Sequence, residues 1–331
     1  TAPHRVTRLS VSVEKSGSAY VSVPFEVPKA ATRFDLRYSY PKSDNCIIDL
    51  GLGDPDLTDF PSKQGLVGWS GGARSAVFIA MDDASPGYAP GLRPGTWQVL
   101  LGLYRLPDHP VTVEIEITFD PAPREEANRP ARPKIASSGP GWYRGDLHCH
   151  TFHSDAKGSP ERLHGTALRE GLDFLAVTDH NTTTAHMAYF DRASSPDLIF
   201  VPGYEFTTAQ GHGNIFGART VEDFRAETDR DVAAMIARIQ AKGYLFSVNH
   251  DKPNIPWNYP FPGADCMEVW HAPWLSGNHF CLERYQAKLS DGQRLTAIGG
   301  SDLHQPATDD SGNLATLARP CTFLYCNDLS V

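Results

Sequence analysis

Residues 145–156 read GDLHCHTFHSDA, placing the pair His148 and His150 five residues ahead of an acid, Asp155. In extended backbone, side chains two apart point the same way, so both imidazoles can reach one metal ion while Cys149 faces elsewhere. Alone, His-x-His is a modest signal. Its weight comes from the runs that follow: LDFLAVTDH (172–180), LIFVPGYE (198–205), GHGNIFG (211–217), YLFSVNH (244–250), CMEVWH (266–271) and LTAIGGSDLH (295–304). Most of these apolar runs end in His, Asp or Glu, and each is short enough for a strand. Metal-ligand side chains delivered at successive strand ends are how a β/α barrel builds a site from its top loops. Nine of the 13 histidines fall at or beside these positions: His148, His150, His153, His180, His186, His212, His250, His271 and His304.

Outward from this core, residues 142–331 alternate apolar runs with helical segments. SPERLHGTALREG (159–171) has Ser159 as an N-cap, Pro160 at the first helical position and Gly171 as a stop; RDVAAMIARIQAKG (230–243) predicts a second helix beginning near Asp229. Strand alternating with helix implies a parallel sheet, and the number of strand-end ligands favours a closed or nearly closed barrel. The chain finishes on CTFLYCNDLSV (321–331) where a last helix is expected, which predicts an incomplete or modified barrel there.

Residues 1–120 follow a different grammar. VTRLSVSV (6–13), AYVSVPFEV (19–27), TRFDLRYSY (32–40), SAVFIAM (75–81), TWQVLLGLY (96–104) and VTVEIEITF (111–119) alternate with period two between Gly, Pro and Asp punctuation. That pattern predicts an all-β sandwich or jelly roll with no metal ligands of its own. Between the halves, residues 121–141 are Pro-rich, charged and poor in apolar anchors, the composition of a linker. The expectation is therefore multidomain: a sandwich over 1–120, a linker over 121–141 and an α/β domain over 142–331.

Bulk properties narrow the function classes. The 331 residues carry a formal charge of −9 and a mean hydropathy of −0.35. The acidic balance disfavours a protein that coats nucleic acid, though not one taking a nucleotide or short oligonucleotide as substrate, because bound divalent cations reverse the local sign. No apolar run approaches the roughly 20 residues that span a bilayer, so no membrane partner is expected. The N-terminus shows no apolar signal-peptide region. The six cysteines (46, 149, 266, 281, 321, 326) form no C-x-x-C and no disulfide framework, which points to a reducing, cytoplasmic setting.

The second half resembles the PHP family (polymerase and histidinol phosphatase domains), and GWYRGDLHCHT, TDHN and GHGN together resemble its CehA/McbA carbaryl-hydrolase branch. The resemblance covers roughly residues 142 to 327 and implies a distorted (β/α)7 barrel holding two or three divalent metals, Zn, Mn or Fe. Carried over position by position, it implies that His148, His150 and Asp302 bind one metal and that Glu205 bridges to a second, held also by His250 and His212. Asp155, His180 and His304 would hold a third. His271 is left open between a metal ligand and a substrate contact.

Other residues take supporting roles in this reading. Asp146, Asp179 and Asn214 lie beside ligands, where acids and amides commonly orient histidines. His153 and His186 read as polar loop residues. Lys252 is a candidate phosphate contact, with a solvated loop lysine as the plainer alternative. Trp257, Tyr259, Phe261 and Trp274 are candidates for an apolar leaving-group pocket.

The expected activity is that of a metal-dependent hydrolase, first a phosphoesterase acting on a small phosphomonoester or phosphodiester through hydroxide activated by the metals, with Asp302, His304 and His250 as catalytic groups. No G-x-S-x-G or cysteine motif marks a protein nucleophile. The second expectation is an aryl carbamate or carboxylic ester hydrolase. A third, of another class, is a binding or architectural protein with an inert PHP domain.

Overall fold

The computed structural model describes residues 5–120, 139–193, 198–304 and 316–329. The chain divides into two compact units, Thr1–Asn128 with Arg225–Glu227, and Arg129–Phe224 with Thr228–Val331. Most of the expected linker lies outside the described residues.

The first unit contains β1 (Val6–Val13), β2 (Tyr20–Val27), β3 (Arg33–Ser39), β4 (Ile47–Gly53), β5 (Leu66–Gly71), β6 (Ala76–Ala80), β7 (Gly95–Arg105) and β8 (Val111–Phe119). They form two four-stranded antiparallel sheets, ordered β1-β8-β3-β6 and β2-β7-β4-β5. The period-two alternation sends one face of each strand inward. Phe34 and Leu36 of β3, Val113, Ile115 and Ile117 of β8, Ile48, Leu50 and Leu52 of β4, and Trp97, Val99 and Leu101 of β7 share one buried cluster. β4 and β5 were not anticipated: IIDLGLG and LVGWSG are glycine-rich and do not alternate cleanly.

The second unit holds β9 (Gly141–Asp146), α1 (Pro160–Arg169), β10 (Phe174–Ala176), a π-helical turn (His186–Phe190), β11 (Ile199–Val201), β12 (Gly203–Thr208), β13 (Gly211–Phe216), α2 (Asp229–Ala241), β14 (Leu245–Val248), β15 (Cys266–His271), α3 (Asn278–Ser290), β16 (Thr296–Gly300) and β17 (Thr322–Cys326). Both expected helices are present. Ser159 caps α1, and Thr228 caps α2 in a reciprocal capping box with Asp231. α3 was not anticipated, and its pattern explains why: only Asn278 and Cys281 are buried along it.

The strands form two sheets, β11-β10-β9-β17 and β12-β13-β14-β15-β16. Contrary to the expectation of a parallel sheet, both are mixed. β12 and β13 are joined by two residues, Ala209 and Gln210, too few for a parallel crossover, so they pair antiparallel. β13 and β14 are also antiparallel, as are β17 and β9. Isolated parallel bridges, His180 with Glu205 and Cys149 with Leu303, connect the two sheets. Among the described residues there are only three α-helices, fewer than the alternating pattern implied.

Candidate metal centre

Past the end of β9, extended backbone sends Leu147 and Cys149 into apolar clusters and leaves His148 and His150 on the opposite side. Both imidazoles are buried. β10 continues into Asp179 and His180, β14 into Asn249 and His250, and β16 into Asp302 and His304. Glu205 lies within β12, and His212 sits at the start of β13 rather than its end. Because β13 runs antiparallel to its neighbours, its first residues lie where their last ones do. At Asn181, His250, Ala272 and Asp302 the backbone takes positive φ (50°, 28°, 51° and 51°), a conformation that costs a non-glycine residue and clusters at functional sites. Gly300 admits no side chain: a Cβ there would stand 2.3 Å from the Cβ of His148.

Glu205 is fully buried at the centre. Its oxygens lie 3.2 Å from His148 Nε2, 3.7 Å from His150 Nε2, 2.8 Å from His180 Nδ1, 3.5 Å from His212 Nδ1 and 3.3 Å from His250 Nε2. Asp302 Oδ1 lies 2.9 Å from His150 Nε2, 3.3 Å from His148 Nε2 and 3.4 Å from His304 Nδ1. Asp155 Oδ1 is 3.5 Å from His180 Nε2 and 3.1 Å from His304 Nε2. All nine expected ligands thus gather in overlapping groups whose donor atoms lie within 4.8 Å of one another: His150, Asp155, His180 and His304; His148, His150 and Asp302; His148, Glu205 and His250; His180, Glu205 and His212; a fifth group, His250, His271 and Asp302, adds His271 to the possible ligands.

These donors fit divalent cations. His148 Nε2, both ring nitrogens of His150, Glu205 Oε2 and His250 Nδ1 are buried without a hydrogen bond, although several stand at contact distance from one another. Buried polar atoms are rarely left so, and leaving one unsatisfied costs about 1–3 kcal/mol. Ligands about 2.1 Å from a shared ion stand roughly 3–3.5 Å apart. The spacings above bracket that range, and among the orphaned atoms His148 Nε2 and His150 Nε2 stand 3.2 and 3.7 Å from the Glu205 carboxylate, whose Oε2 is itself unbonded, as ligands of common ions do.

The charges reinforce one another. Although burial opposes it, His148, His212 and His180 hold the Glu205 carboxyl well below its ordinary range, and His148 and His304 do the same for Asp302. Burial pushes His180 down, but Asp155 and Glu205 lift it to about 9; His304 rises to about 10 against the same penalty through Asp302 and Asp155. Burial, with His304 and His180 beside it, lowers His150 to about 3.

Three supporting residues escaped the sequence reading. Glu268 of β15 is fully buried; its Oε1 lies 2.9 Å from His148 Nδ1 and its Oε2 accepts from the His250 backbone N–H at 3.0 Å. A carboxylate inside the apolar run CMEVWH was the available signal. Asn249 donates to Glu205 Oε1 at 2.8 Å, and Thr207 Oγ1 lies 2.6 Å from His180 Nδ1.

The residues expected to orient histidines bond to backbone groups and hydroxyls rather than to imidazole rings. Asp146 accepts from the N–H groups of His148, Ser301 and Ala318, and Asp179 accepts from Thr151 and Ser154. Asn214 donates to the Leu147 carbonyl at 3.1 Å.

His153 and His186 are buried and join none of these ligand groups, and Lys252 is buried too, which corrects the solvated-lysine alternative. Lys252 Nζ lies 2.8 Å from His271 Nδ1, and His271 Nε2 lies 2.8 Å from Asp302 Oδ2. Burial lowers both Lys252 and His271 from their ordinary values. The aromatic candidates separate into different groups. Trp257 packs with Tyr259, Phe206 and Phe246, and Tyr259 bonds to Thr208. Trp274 instead meets the exposed Trp270, with ring centres 5.0 Å apart, and Phe261 lies under Lys288.

Residues 146–258 match the PHP domain. The PHP match covers His148 through His250 and stops short of Glu268, His271, Asp302 and His304. A curated relative, the 5′-3′ exoribonuclease Rnm of Salmonella typhimurium, is 34% identical over 114 residues, which are 34% of this chain and 39% of that protein. Among solved structures, a two-domain protein of Bacteroides vulgatus, described as containing a predicted PHP-like metal-dependent phosphoesterase, has a TM-score of 0.42 at 20% identity, covering 61% of this chain and 64% of its own. A Bifidobacterium adolescentis protein assigned as a metal-dependent phosphoesterase has a TM-score of 0.36 at 17% identity, covering 52% and 90%. The chain thus spans well under half of the curated relative's length and just under two thirds of the Bacteroides chain.

Proposed function

We propose that this chain is a metal-dependent phosphoesterase whose centre is built from His148, His150, Asp155, His180, Glu205, His212, His250, Asp302 and His304. The observation that carries the reading is Glu205, fully buried among five imidazoles with one of its oxygens and two facing ring nitrogens, His148 Nε2 and His150 Nε2, unbonded. The PHP match and the similarity to an exoribonuclease support it. The bridges that link the two sheets support reading the second unit as a distorted (β/α)7 barrel, and the shared core of the first unit supports a β-sandwich. A CehA/McbA-like branch is part of the same proposal.

Two or three divalent cations (Zn, Mn or Fe) bound here would supply Lewis acidity, acidifying water and neutralising phosphoryl charge. The protein's own groups prepare that chemistry. Glu268 takes the Nδ1–H of His148 and leaves Nε2 facing the cluster. His304 donates from Nδ1 to the carbonyl of Asp302 at 3.0 Å, which leaves Nε2 toward Asp155. Asp302 and His250, both within the cluster, are the groups proposed to exchange protons with the attacking water and the leaving oxygen. Substrate enters at the open rim, where the side chains of His304 and Asp155 are 26% and 43% exposed.

Charge favours phosphate. With the histidines neutral, as metal ligation requires, Glu205, Asp302, Asp155 and Glu268 against Lys252 sum to about −3, so two divalent cations would bring the centre to about +1 and three to about +3. The substrate class that fits is a small phosphomonoester or phosphodiester, including a nucleotide or short oligonucleotide. Among the described residues Trp257 and Tyr259 pack apart from Trp274 and Phe261, which disfavours a single aromatic pocket for an aryl carbamate or carboxylic ester, and the full ligand set argues against an inert binding domain.

The deciding experiment reconstitutes metal-free protein with Zn²⁺, Mn²⁺ or Fe²⁺ and screens phosphomonoesters, dinucleotides, short oligonucleotides and aryl carbamates. Phosphoester cleavage is expected, and Glu205→Gln should lose both metal and rate. Cleavage of aryl esters alone, or a fully active Glu205→Gln, would overturn the proposal.

A further inference from the structure

We propose that Lys252 and His271 form a two-bond brace that selects which oxygen of Asp302 faces the metal centre. The proposal rests on reading Asp302 as a metal ligand. Lys252 Nζ is 2.8 Å from His271 Nδ1. An ammonium has only donors, so Nδ1 accepts and the ring's proton sits on Nε2. From there it is donated to Asp302 Oδ2 at 2.8 Å. The ring is also fixed from behind: the His271 backbone N–H donates to Asn278 Oδ1 at 2.8 Å, and Asn278 Nδ2 donates back to the His271 carbonyl at 2.9 Å. With Oδ2 held, Oδ1 is the oxygen turned toward His150, His148 and His304. Unbraced, the terminal torsion of Asp302 is broad, and either oxygen could be presented.

Lys252 is an expensive way to fill that space. Its side chain is buried at 4% exposure, and its only described hydrogen-bond partner is a neutral ring nitrogen. A methionine of similar length would pack there without desolvating a charge. The ammonium does what methionine cannot: it dictates the tautomer of His271. Lys252 is therefore a positioning residue that acts on Asp302 through His271, not an open phosphate contact.

The test needs no turnover. Nitrogen-15 spectra of histidine-labelled, metal-free full-length protein report the His271 tautomer, expected to be protonated on Nε2. Zn²⁺ affinity is then measured by chelator competition. Lys252→Met should mix the tautomers and weaken one Zn²⁺ by roughly 10–100-fold, the usual effect of losing a partner behind a ligand. His271→Gln, whose amide can both accept from Lys252 and donate to Asp302, should retain more affinity than His271→Leu. A wild-type His271 protonated on Nδ1 would overturn the brace even if no variant folds. Unchanged Zn²⁺ affinity in Lys252→Met would sink the brace alone, whereas wild-type protein that takes up no Zn²⁺ would sink the metal-centre reading and the brace with it.

Discussion

Glu205 shows the logic of the site in one side chain. A carboxylate with no exposed surface is costly unless cations or donors compensate it, and here five imidazoles and the Asn249 amide surround it. Glu268 plays the quieter part by fixing His148. Replacing it with Gln keeps the shape but removes the negative acceptor, so metal affinity should fall by about 10–100-fold with the ligands intact. Equilibrium dialysis of Glu268→Gln reads this directly, and unchanged affinity would remove Glu268 from the site. The raised histidines predict a pH effect. Metal ligation requires neutral imidazole, and in metal-free protein His180 and His304 hold protons up to about pH 9 and 10. Metal uptake at pH 7 should therefore release protons, and affinity should climb as pH rises toward those values. A metal titration in weak buffer that releases no acid would contradict it.

At the scale of elements, short strands place the ligands and irregular backbone aims them. Two of the left-handed residues beyond strand ends, His250 and Asp302, are themselves proposed ligands. The π-helical turn His186–Phe190 is part of the support. His186 is buried, its Nε2 lies 3.1 Å from the Val177 carbonyl, and burial lowers its pKa to about 4. The sign is set by the unfolded chain, which takes up the proton first, near pH 6.5. Stability from neutral His186 is complete above that value and is lost as pH falls toward 4, by up to about 3 kcal/mol. Urea unfolding of wild type and His186→Gln from pH 7 to 4 should show a shallower pH slope in the variant. Equal slopes would place the acid sensitivity elsewhere.

Across the whole molecule, every proposed metal ligand belongs to the second unit, and none comes from the two sheets of the first. A chain lacking residues 1–120 should therefore bind the same number of metals per chain. Elemental analysis tests this, and a lower stoichiometry in folded, truncated protein would mean that the first unit contributes a ligand. Among the described residues, no helix is long and apolar enough to cross a membrane.

How much of this was legible in sequence depends on the range of the interactions involved. Period-two alternation marked six of the eight strands in residues 1–120, and Ser159, Pro160 and Gly171 bracketed α1, because these signals act within a few residues. The His-x-His spacing and the polar ends of apolar runs marked the ligand candidates, since local backbone geometry decides which side chains share a face. Strand direction was not local: β13 reverses at a two-residue turn, which moved His212 to the start of its strand. Burial of Lys252 and its bond to His271 likewise join positions 19 residues apart in sequence, and His148 meets Glu268 across 120. The sequence by itself determined which residue types were available to hold metal and where chain direction could break. Tertiary structure alone decided which nitrogen or oxygen each would present, because that depends on partners brought in from distant strands.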